Sequence, residues 1–185
     1  EDLYLDNPLA TLIRVVNFNL KGNVSETLRG VENFRKVKEP QEILEQTSEA
    51  GAHLWEKYEK YAQEYDKLLA KARLSAEENA DDSLLIFIYE SEHNSFTSEL
   101  SNELLIRYPN KIVVVGRHDR GEVKASLRAG PNSPDVDVPL KVSVDGLRGY
   151  GGGHKKACGT CIHEDDWPIF LERFRENLAL SDDKD

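Results

Sequence analysis

The chain is 185 residues long, enough for one ordinary domain or two small ones with a buried core. Apolar residues make up 39% of it and charged residues 31%, which is typical of a folded globular protein rather than a disordered one. The formal net charge of −10 argues against a protein that coats long duplex DNA by counter-ion release. No apolar run approaches the ~20 residues of a membrane-spanning helix.

Cysteine usage indicates a reducing compartment. The two cysteines, Cys158 and Cys161, lie three positions apart, a spacing that cannot cross-link a secreted scaffold. The first residues, Glu1–Asp6, lack the basic and then apolar layout of a signal peptide. We therefore expect a cytoplasmic protein. Because the sequence contains no methionine, we also expect a processed chain or a piece of a longer one.

The first region, from about Asn7 to Leu74, is predicted to be helical. Asn7-Pro8 has the pattern of a helix N-terminus, a capping residue followed by proline. Ser25 begins a short second helix that ends near Pro40. After Pro40, apolar residues recur at steps of three and four over about five turns, which predicts a long amphipathic helix. Its tryptophan and tyrosine residues are interpreted as packing rather than as a base-stacking platform.

The second region follows a polar stretch, Ser75–Ser83, which is interpreted as a joint. Strands are predicted at Leu84–Tyr89, Ile112–Val115, Val123–Arg128 and Ala157–Ile162. Helices are predicted at Ser95–Tyr108, at Pro139–Leu147 and after Asp165-Asp166. Strands that alternate with helices predict a small α/β domain. We place it at residues 81–185, after a helical region at residues 1–80.

One glycine-rich stretch concentrates residues suited to binding an anion. It contains three successive glycines followed by a histidine and a lysine: Gly151, Gly152, Gly153, His154 and Lys155. Successive glycines predict a loop whose amides converge on a ligand, with a titratable donor and a positive charge at its edge. Between Lys111 and His163 there are nine basic and five acidic side chains, so this part of an acidic chain attracts anions. A phosphate or a nucleotide terminus fits such a loop.

The string Gly151-Gly152-Gly153-His154-x-x-Ala157-x-Gly159 resembles the signature of the DHH-associated domain of RecJ-like and other DHH-type phosphoesterases. The resemblance covers about Ser83–Leu178, whose predicted elements follow that domain's order. Ser126-Leu127-Arg128 also matches the Ser-x-Arg of its central strand. Residues 1–80 resemble the helical connector that joins the catalytic domain to this one in RecJ-like proteins. The resemblance therefore implies a helical connector followed by a small mixed-sheet α/β domain.

The resemblance also implies roles for individual residues. In that family the Gly-Gly-Gly-His loop and the strand arginine hold the substrate's phosphate and terminal nucleotide against two metal ions. Carried over to this sequence, the substrate-binding residues are Gly151, Gly152, Gly153, His154, Arg128, Ser126 and Lys155. Arg128 is suited to clamp a phosphate because its planar guanidinium meets two oxygens at once. The implied substrate is a single-stranded nucleic-acid end or a short oligonucleotide.

The sequence departs from that family in its catalytic half. There, Asp-His-His and other clusters bind Mn²⁺ or Mg²⁺ for two-metal hydrolysis. No Asp-His-His triplet occurs here, and His118-Asp119 lies at a predicted turn without partner carboxylates. We therefore expect no catalytic residue, metal ligand or cofactor in this chain, and no phosphodiester hydrolysis by it alone. The metal ions are expected in a catalytic domain of the same polypeptide that this chain lacks.

Other interpretations of the same residues remain open. His154, Cys158, Cys161 and His163 are ligands that Zn²⁺ accepts, but two cysteines three positions apart on a strand point to opposite faces, which favours small buried thiols. His93, Arg117 and His118 follow predicted strands and are weaker candidates for the site. The chain could instead be a non-catalytic module whose helical region docks a replication or repair protein. It could also belong to a phosphoesterase for small nucleotides, such as cyclic dinucleotides or nucleotide phosphates.

Overall fold

The computed structural model describes residues 7–91 and 94–182. Over these residues the elements are α1 Pro8–Asn19, α2 Val24–Phe34, α3 Gln41–Leu44, α4 Glu49–Glu78, β1 Leu84–Glu90, α5 Thr97–Arg107, β2 Ile112–Asp119, β3 Glu122–Ala129, α6 Asp137–Val144, β4 Gly149–His154, β5 Ala157–His163, a 3₁₀ turn Glu164–Asp166, and α7 Trp167–Asp182. The chain divides into two compact units, one ending at Leu68 and one beginning at Leu69, so the boundary lies within α4. Among the described residues, no helix is both long and apolar enough to cross a membrane.

The helical region follows its predicted pattern with two corrections. Asn7 caps α1, accepting the Ala10 backbone N–H at 2.9 Å, as the Asn-Pro pair predicts. The second helix starts at Val24 and not at Ser25, because Asn23 forms a capping box with Glu26, and it ends at Phe34 and not near Pro40. The predicted joint is wrong over its first half, since α4 continues to Glu78. Alanine and glutamate, both strong helix formers, carry the helix through that stretch.

The aromatic stripe of α4 packs inside the first unit. Tyr61 and Tyr65 are buried, and Phe18 of α1 lies between several of these rings. The centroid of the Phe18 ring is 5.3 Å from that of Tyr65 and 5.9 Å from that of Tyr58, distances typical of favourable aromatic pairs. The prediction that these rings serve packing is confirmed.

The second unit contains a five-stranded mixed sheet in the order β1-β2-β3-β5-β4. β1 and β2 are parallel, and every other neighbouring pair is antiparallel. The predicted mixed-sheet α/β domain is thus confirmed. Two local predictions are wrong: the glycine-rich segment is the edge strand β4 and not a loop, and His118-Asp119 ends β2 and is not a turn. β2 runs on because Arg120 and Gly121, both with positive φ, form the tight turn into β3.

Helices cover the two sides of this sheet unequally. On the side here called the inner face, α6 and α7 pack on β3 and β5, and Leu140, Phe170 and Phe174 are fully buried there. On the other side α5 packs against β2 and β3. Arg128, whose side chain leaves β3 opposite to the buried Leu127, bonds to α5 on that side. β5 and β4 therefore have one covered side and one side that no described element of this unit covers, here called the uncovered side.

A bidentate ion pair fixes the chain where it enters the sheet. Asp82 accepts two hydrogen bonds from Arg175 of α7, at 2.9 and 2.7 Å, and one from the Leu84 backbone N–H at 2.8 Å. Lys111 donates to the backbone carbonyls of Asn79 and Ala80 just before it, at the end of α4. The hydrogen bonds from Arg175 hold the pKa of Asp82 below its usual range, although partial burial opposes them.

We predict that Asp82→Asn lowers the free energy of unfolding at pH 7 by about 1 kcal/mol, the size of a partly exposed charge-assisted pair. Because the pKa of Asp82 is lower in the folded chain, its stabilisation is complete above the unfolded-state value near 4 and is lost as the pH falls through the folded-state value. Urea unfolding should show that the free energies of unfolding of the wild-type chain and of Asp82→Asn become equal at acid pH. Asp81→Asn, an exposed neighbour, is the matched control. A difference that persists unchanged at pH 2 contradicts this role.

Candidate functional site

The glycine-rich segment forms a hairpin with β5. Gly149 lies opposite Ile162 and His154 opposite Ala157, with Lys155 and Lys156 in the turn. The start of β4 is tied to the 3₁₀ turn, because Asp166 accepts hydrogen bonds from the Arg148 backbone N–H and guanidinium at 2.8 to 3.0 Å. The Arg148 side chain holds the pKa of Asp166 at about 2, so this anchor is ionised at neutral pH.

Three glycines of β4 are required by its packing. A Cβ on Gly149 would lie 2.4 Å from the Cys161 carbonyl oxygen, and one on Gly153 would lie 2.5 Å from the Ala157 carbonyl oxygen. Gly153 also has φ +151°, which side chains rarely adopt. A Cβ on Gly151 would press on Leu140 of α6 at 3.1 Å. These three positions face the inner side of the sheet, where β4 approaches the core closely.

Two other glycines are not required by the fold. A Cβ on Gly152 would meet nothing within 4 Å, and one on Gly159 would meet only the Ala125 carbonyl oxygen at 3.7 Å. Neither has a positive φ. They lie directly opposite each other in the β4–β5 pairing and project to the uncovered side of the sheet. Glycine within a strand often marks a place where a ligand approaches the backbone.

The uncovered side is here called the open face, and it has three rows that cross β3, β5 and β4. The rows are Arg128–Ala157–His154, Ser126–Gly159–Gly152 and Lys124–Cys161–Tyr150. Strand and residue spacings make this surface about 10 Å across and about 14 Å along the strands. Ala157 and Gly159 are exposed although β5 is an interior strand.

The structure brings most of the predicted site residues onto this face. Ser126 and Arg128 share it, as the alternation of β3 predicts, and Gly152 and His154 reach it from β4. Gly151 and Gly153 belong to the same strand but face inwards. Their amides lie in an extended strand and not in the convergent nest expected of a loop.

Arg128 is held in place by α5. Its Nε donates to the Asn102 side-chain oxygen at 2.8 Å, and its Nη2 donates to the Ser98 hydroxyl at 3.3 Å. Its Nη1 donates to the backbone carbonyls of Leu127 and Cys158 at 2.9 and 3.2 Å. Ser98 and Asn102 lie one helical turn apart on α5 and position the guanidinium at the edge of the open face. Sequence reasoning missed both, because only their four-residue spacing marks them as sharing a helix face.

Acidic partners offset the lysines around the open face. Asp135 pairs with Lys155 and Lys156, each at 3.0 Å, and these two lysines lower the pKa of Asp135. The expected positive charge of Lys155 is therefore compensated. Lys124 similarly donates to Asp119 at 2.7 Å, and this bond lowers the pKa of that carboxyl. The polar groups of the face are thus Ser126, Arg128 and His154 rather than a dense field of cations.

The weaker candidates lie outside the three rows. Arg117 lies opposite Lys124 and so shares that side of the sheet, but it donates to the Ser91 carbonyl oxygen at 3.2 Å and pairs with Asp119 at 3.1 Å. His118 alternates to the other side of β2, where its Nδ1 lies 3.9 Å from a carboxylate oxygen of Glu164. His93 lies outside the described residues.

Tyr150 is a residue that sequence reasoning missed. It lies in β4 two positions before Gly152, so the same alternation places it on the open face. The residue is 70% exposed, so its ring is accessible to a ligand. The alternation of Tyr150, Gly152 and His154 was the available signal, but it is readable only once the segment is known to be a strand.

The two thiols lie on opposite sides of β5, as their spacing predicts. Cys158 packs in the inner core, whereas Cys161 belongs to the open face, and both are buried and reduced. Burial is the main cause that raises the pKa of each thiol, so neither is an activated nucleophile. In residues 7–91 and 94–182, no three His, Cys, Asp or Glu side chains converge on a common metal position.

Comparisons with known proteins give a family match and several similar folds. The model of a family described as the DHHA1 domain matches residues 81–180. RecJ of Thermus thermophilus in complex with Mn²⁺ is similar with a TM-score of 0.53 and 19% identity, over 70% of this chain and 19% of that chain. A second exonuclease RecJ bound to manganese has a TM-score of 0.52 and 20% identity, over 76% of this chain and 35% of that one.

A pGpG-specific phosphodiesterase, PggH of Vibrio cholerae, is similar over more of this chain. The TM-score is 0.61 at 13% identity, and the match covers 97% of this chain and 61% of that chain. No match was found among curated protein sequences. At these identities the structural likeness shows the fold, and this chain spans less than two thirds of each of these three proteins. The donor set described above does not fit the metal ions named for the RecJ structures, so we assign no metal-dependent step to this chain.

We predict that the glycines of β4 and β5 separate into two classes on substitution by alanine. Gly149→Ala and Gly153→Ala should each cost about 2 kcal/mol, because a Cβ collides with backbone or forces strain. Gly152→Ala and Gly159→Ala should leave stability unchanged or raise it by about 0.5 kcal/mol, because alanine loses less backbone entropy. Thermal unfolding measures all four. Equal destabilisation in both classes contradicts the described path of β4.

Proposed function

The chain belongs to the DHHA1 domain family, and from that membership we propose that it is the substrate-binding module of a DHH-type phosphoesterase. Its substrate would be a single-stranded nucleic-acid end or a short oligonucleotide, bound on the open face. Hydrolysis would require a catalytic domain of the same polypeptide with Mn²⁺ or Mg²⁺, as we expect from the sequence. Alone, the chain would bind without hydrolysing.

The observation that carries this proposal is the pair of glycines at the centre of the open face. The fold does not require glycine at Gly152 or Gly159, and alanine would be the more stable choice in a strand. Neither position carries a side chain, so the open face between β3 and β4 has a flat central area of backbone, here called the floor. A flat floor fits a planar base or a sugar-phosphate segment that lies directly on the sheet.

The groups around this floor match the parts of a nucleotide. Arg128 and Ser126 offer N–H and O–H donors on one side, where a phosphate would be held. Tyr150 offers an exposed aromatic ring on the other side, suited to stacking on a base. His154 stands in the same row as Arg128, two strands away, and adds a donor there. Sheet faces of comparable layout stack two or three bases in RNA-binding modules.

Arg128 would bind a phosphate by exchanging one of its protein contacts. The hydrogen bond from its Nη2 to the Ser98 hydroxyl, at 3.3 Å, is longer than those to Asn102, Leu127 and Cys158. A phosphate oxygen would replace the Ser98 hydroxyl at that nitrogen, while Asn102 keeps the Nε anchored at 2.8 Å. The guanidinium is therefore already oriented, and little side-chain entropy is lost on binding.

A second candidate function rests on the helical unit. On the end of α1 and along α2, four exposed apolar side chains, Leu20, Val24, Leu28 and Val31, follow one another at helical spacing. An exposed apolar stripe of this kind is typical of protein docking. This observation favours the alternative in which the helical region binds a replication or repair protein.

We predict that a fluorescent 5′-phosphorylated decamer binds the wild-type chain saturably and that Gly152→Val weakens binding at least tenfold. Valine suits a strand, and its Cβ would meet nothing within 4 Å, but its side chain would occupy the floor. Arg128→Ala and His154→Ala should weaken binding by removing donors. Lys141→Ala, an exposed cation of α6 on the inner side, is the control for lost charge. Fluorescence anisotropy measures each affinity.

The same assay separates the alternatives. Affinity that rises over the first few nucleotides supports an oligonucleotide substrate, whereas a dinucleotide that competes as well as the decamer supports the small-nucleotide alternative. Unchanged affinity in Gly152→Val contradicts the assignment to the open face. No saturable binding by the wild-type chain contradicts a self-sufficient binding module and favours the docking function.

A further inference from the structure

A groove lined by basic side chains runs between α2 and α4 in the unit that ends at Leu68. One cavity of about 460 Å³ is lined in part by Arg29, Asn33, His53, Lys57 and Lys60. A second cavity of about 450 Å³ shares Arg29, Asn33 and His53 and extends to Lys36. The two form one continuous depression, here called the basic groove. It lies in a different compact unit from the open face.

Each wall of the groove carries a row of hydrogen-bond donors at one helical spacing. Arg29, Asn33 and Lys36 occur at steps of four and three along α2 and the turn that follows it. His53, Lys57 and Lys60 have the same steps on α4. Side chains at these steps lie on one side of a helix, and seven residues rise about 10 Å.

Few acidic partners neutralise these cations. Within residues 7–91 and 94–182, no acidic side chain pairs with Arg29 or Lys36 within ion-pair distance. Lys57 donates to the backbone carbonyl oxygens of Asn19 and Glu26, at 2.9 and 3.3 Å, rather than to a carboxylate. Burial lowers the pKa of Lys57, Glu26 opposes this shift, and Lys60 and Arg29 add to it, as expected for a crowded set of positive charges.

Three acidic side chains offset part of this set. Glu26, Glu49 and Glu56 also line the two cavities. The carboxylate of Glu26 accepts the Asn23 backbone N–H at 3.0 Å within the capping box of α2 and remains charged. Arg29, Lys36, Lys57 and Lys60 therefore exceed the lining carboxylates by one positive charge.

Asn33 adds a neutral donor to the groove. The residue is only 8% exposed and lines both cavities, and its carboxamide makes no hydrogen bond to any residue that the structure describes. Its polar atoms are not among the buried side-chain atoms without a partner, so they are accessible from the cavities. A phosphate oxygen in the groove would accept from the Asn33 nitrogen and from the neighbouring Arg29 together.

We propose that the basic groove is a second anion site, which binds backbone phosphates of a nucleic-acid strand. A strand fits better than a carboxylate-rich peptide, because all six row residues are N–H donors and each row extends them over about 10 Å, which suits the repeated charges of a nucleic-acid backbone. The proposal does not depend on the open face.

The test compares two charge-matched double variants of the full chain with a fluorescent single-stranded 20-mer. Arg29→Gln with Lys60→Gln removes two cations from the groove. Arg35→Gln with Lys38→Gln removes two exposed cations of the same unit that do not line it. We expect the groove pair to weaken binding at least fivefold and to lower the slope of log K against log salt by about 1.4, since each single-strand phosphate contact contributes ~0.7. The control pair should change affinity less than twofold.

Asn33→Leu separates binding from folding. Because the carboxamide has no partner within the described chain, its replacement by an apolar side chain of similar size should leave the melting temperature unchanged or raise it, while the 20-mer binds more weakly. A lower melting temperature with unchanged affinity would mean that Asn33 is structural, and it would overturn the proposal.

Two further measurements test which anion the basic groove binds and whether it binds independently of the open face. The groove pair should weaken binding of the 20-mer by the same factor when Gly152→Val is also present. Because that substitution already blocks the open face, the further loss of affinity would come from the groove. Equal effects of the groove and control pairs overturn the proposal. The proposal is also overturned if inorganic phosphate or polyglutamate binds to the groove and the nucleic-acid strand does not.

Discussion

The close approach of β4 to the sheet is the constraint on which the rest of the binding surface depends. On its inner side, β4 lies so near β5 and α6 that a Cβ at Gly149, Gly151 or Gly153 would meet backbone or core atoms. Because these positions are bare, the strand pairs along its whole length and presents its alternate residues outwards. Tyr150 and His154 reach the open face only through this pairing.

The electrostatics of the open face follow from local pairing and not from net charge. Asp135 and Asp119 neutralise the lysines at its margins, which leaves an oriented guanidinium, a hydroxyl and an imidazole as its polar groups. Such a surface selects a ligand by shape and by a few directed hydrogen bonds. In the helical unit, Arg29 and Lys36 have no acidic side chain within ion-pair distance among the described residues, and for this reason we propose a polyanion as the ligand of the basic groove.

Sequence patterns predicted those features that depend on local rules. The cap at Asn7, the shared face of Ser126 and Arg128, and the opposed thiols all follow from spacing alone, and the mixed α/β fold follows from the order of elements. That the glycine run forms a strand was not predictable from the sequence. Glycine favours loops unless tertiary contacts require a strand without side chains. Ser98 and the basic groove depend on which helices meet, which no local pattern encodes.

The central claim is that the open face, with its bare floor, is where a ligand lies on this sheet. Amide chemical-shift mapping of the full chain during titration with a 5′-phosphorylated trinucleotide tests it most directly, because it assigns contact residue by residue. The account predicts that the largest shifts fall on Ser126, Gly152, Ala157 and Gly159, on the uncovered side of three strands. Shifts confined to the inner-face helices or to α1 and α2, with those four amides unmoved, would contradict it.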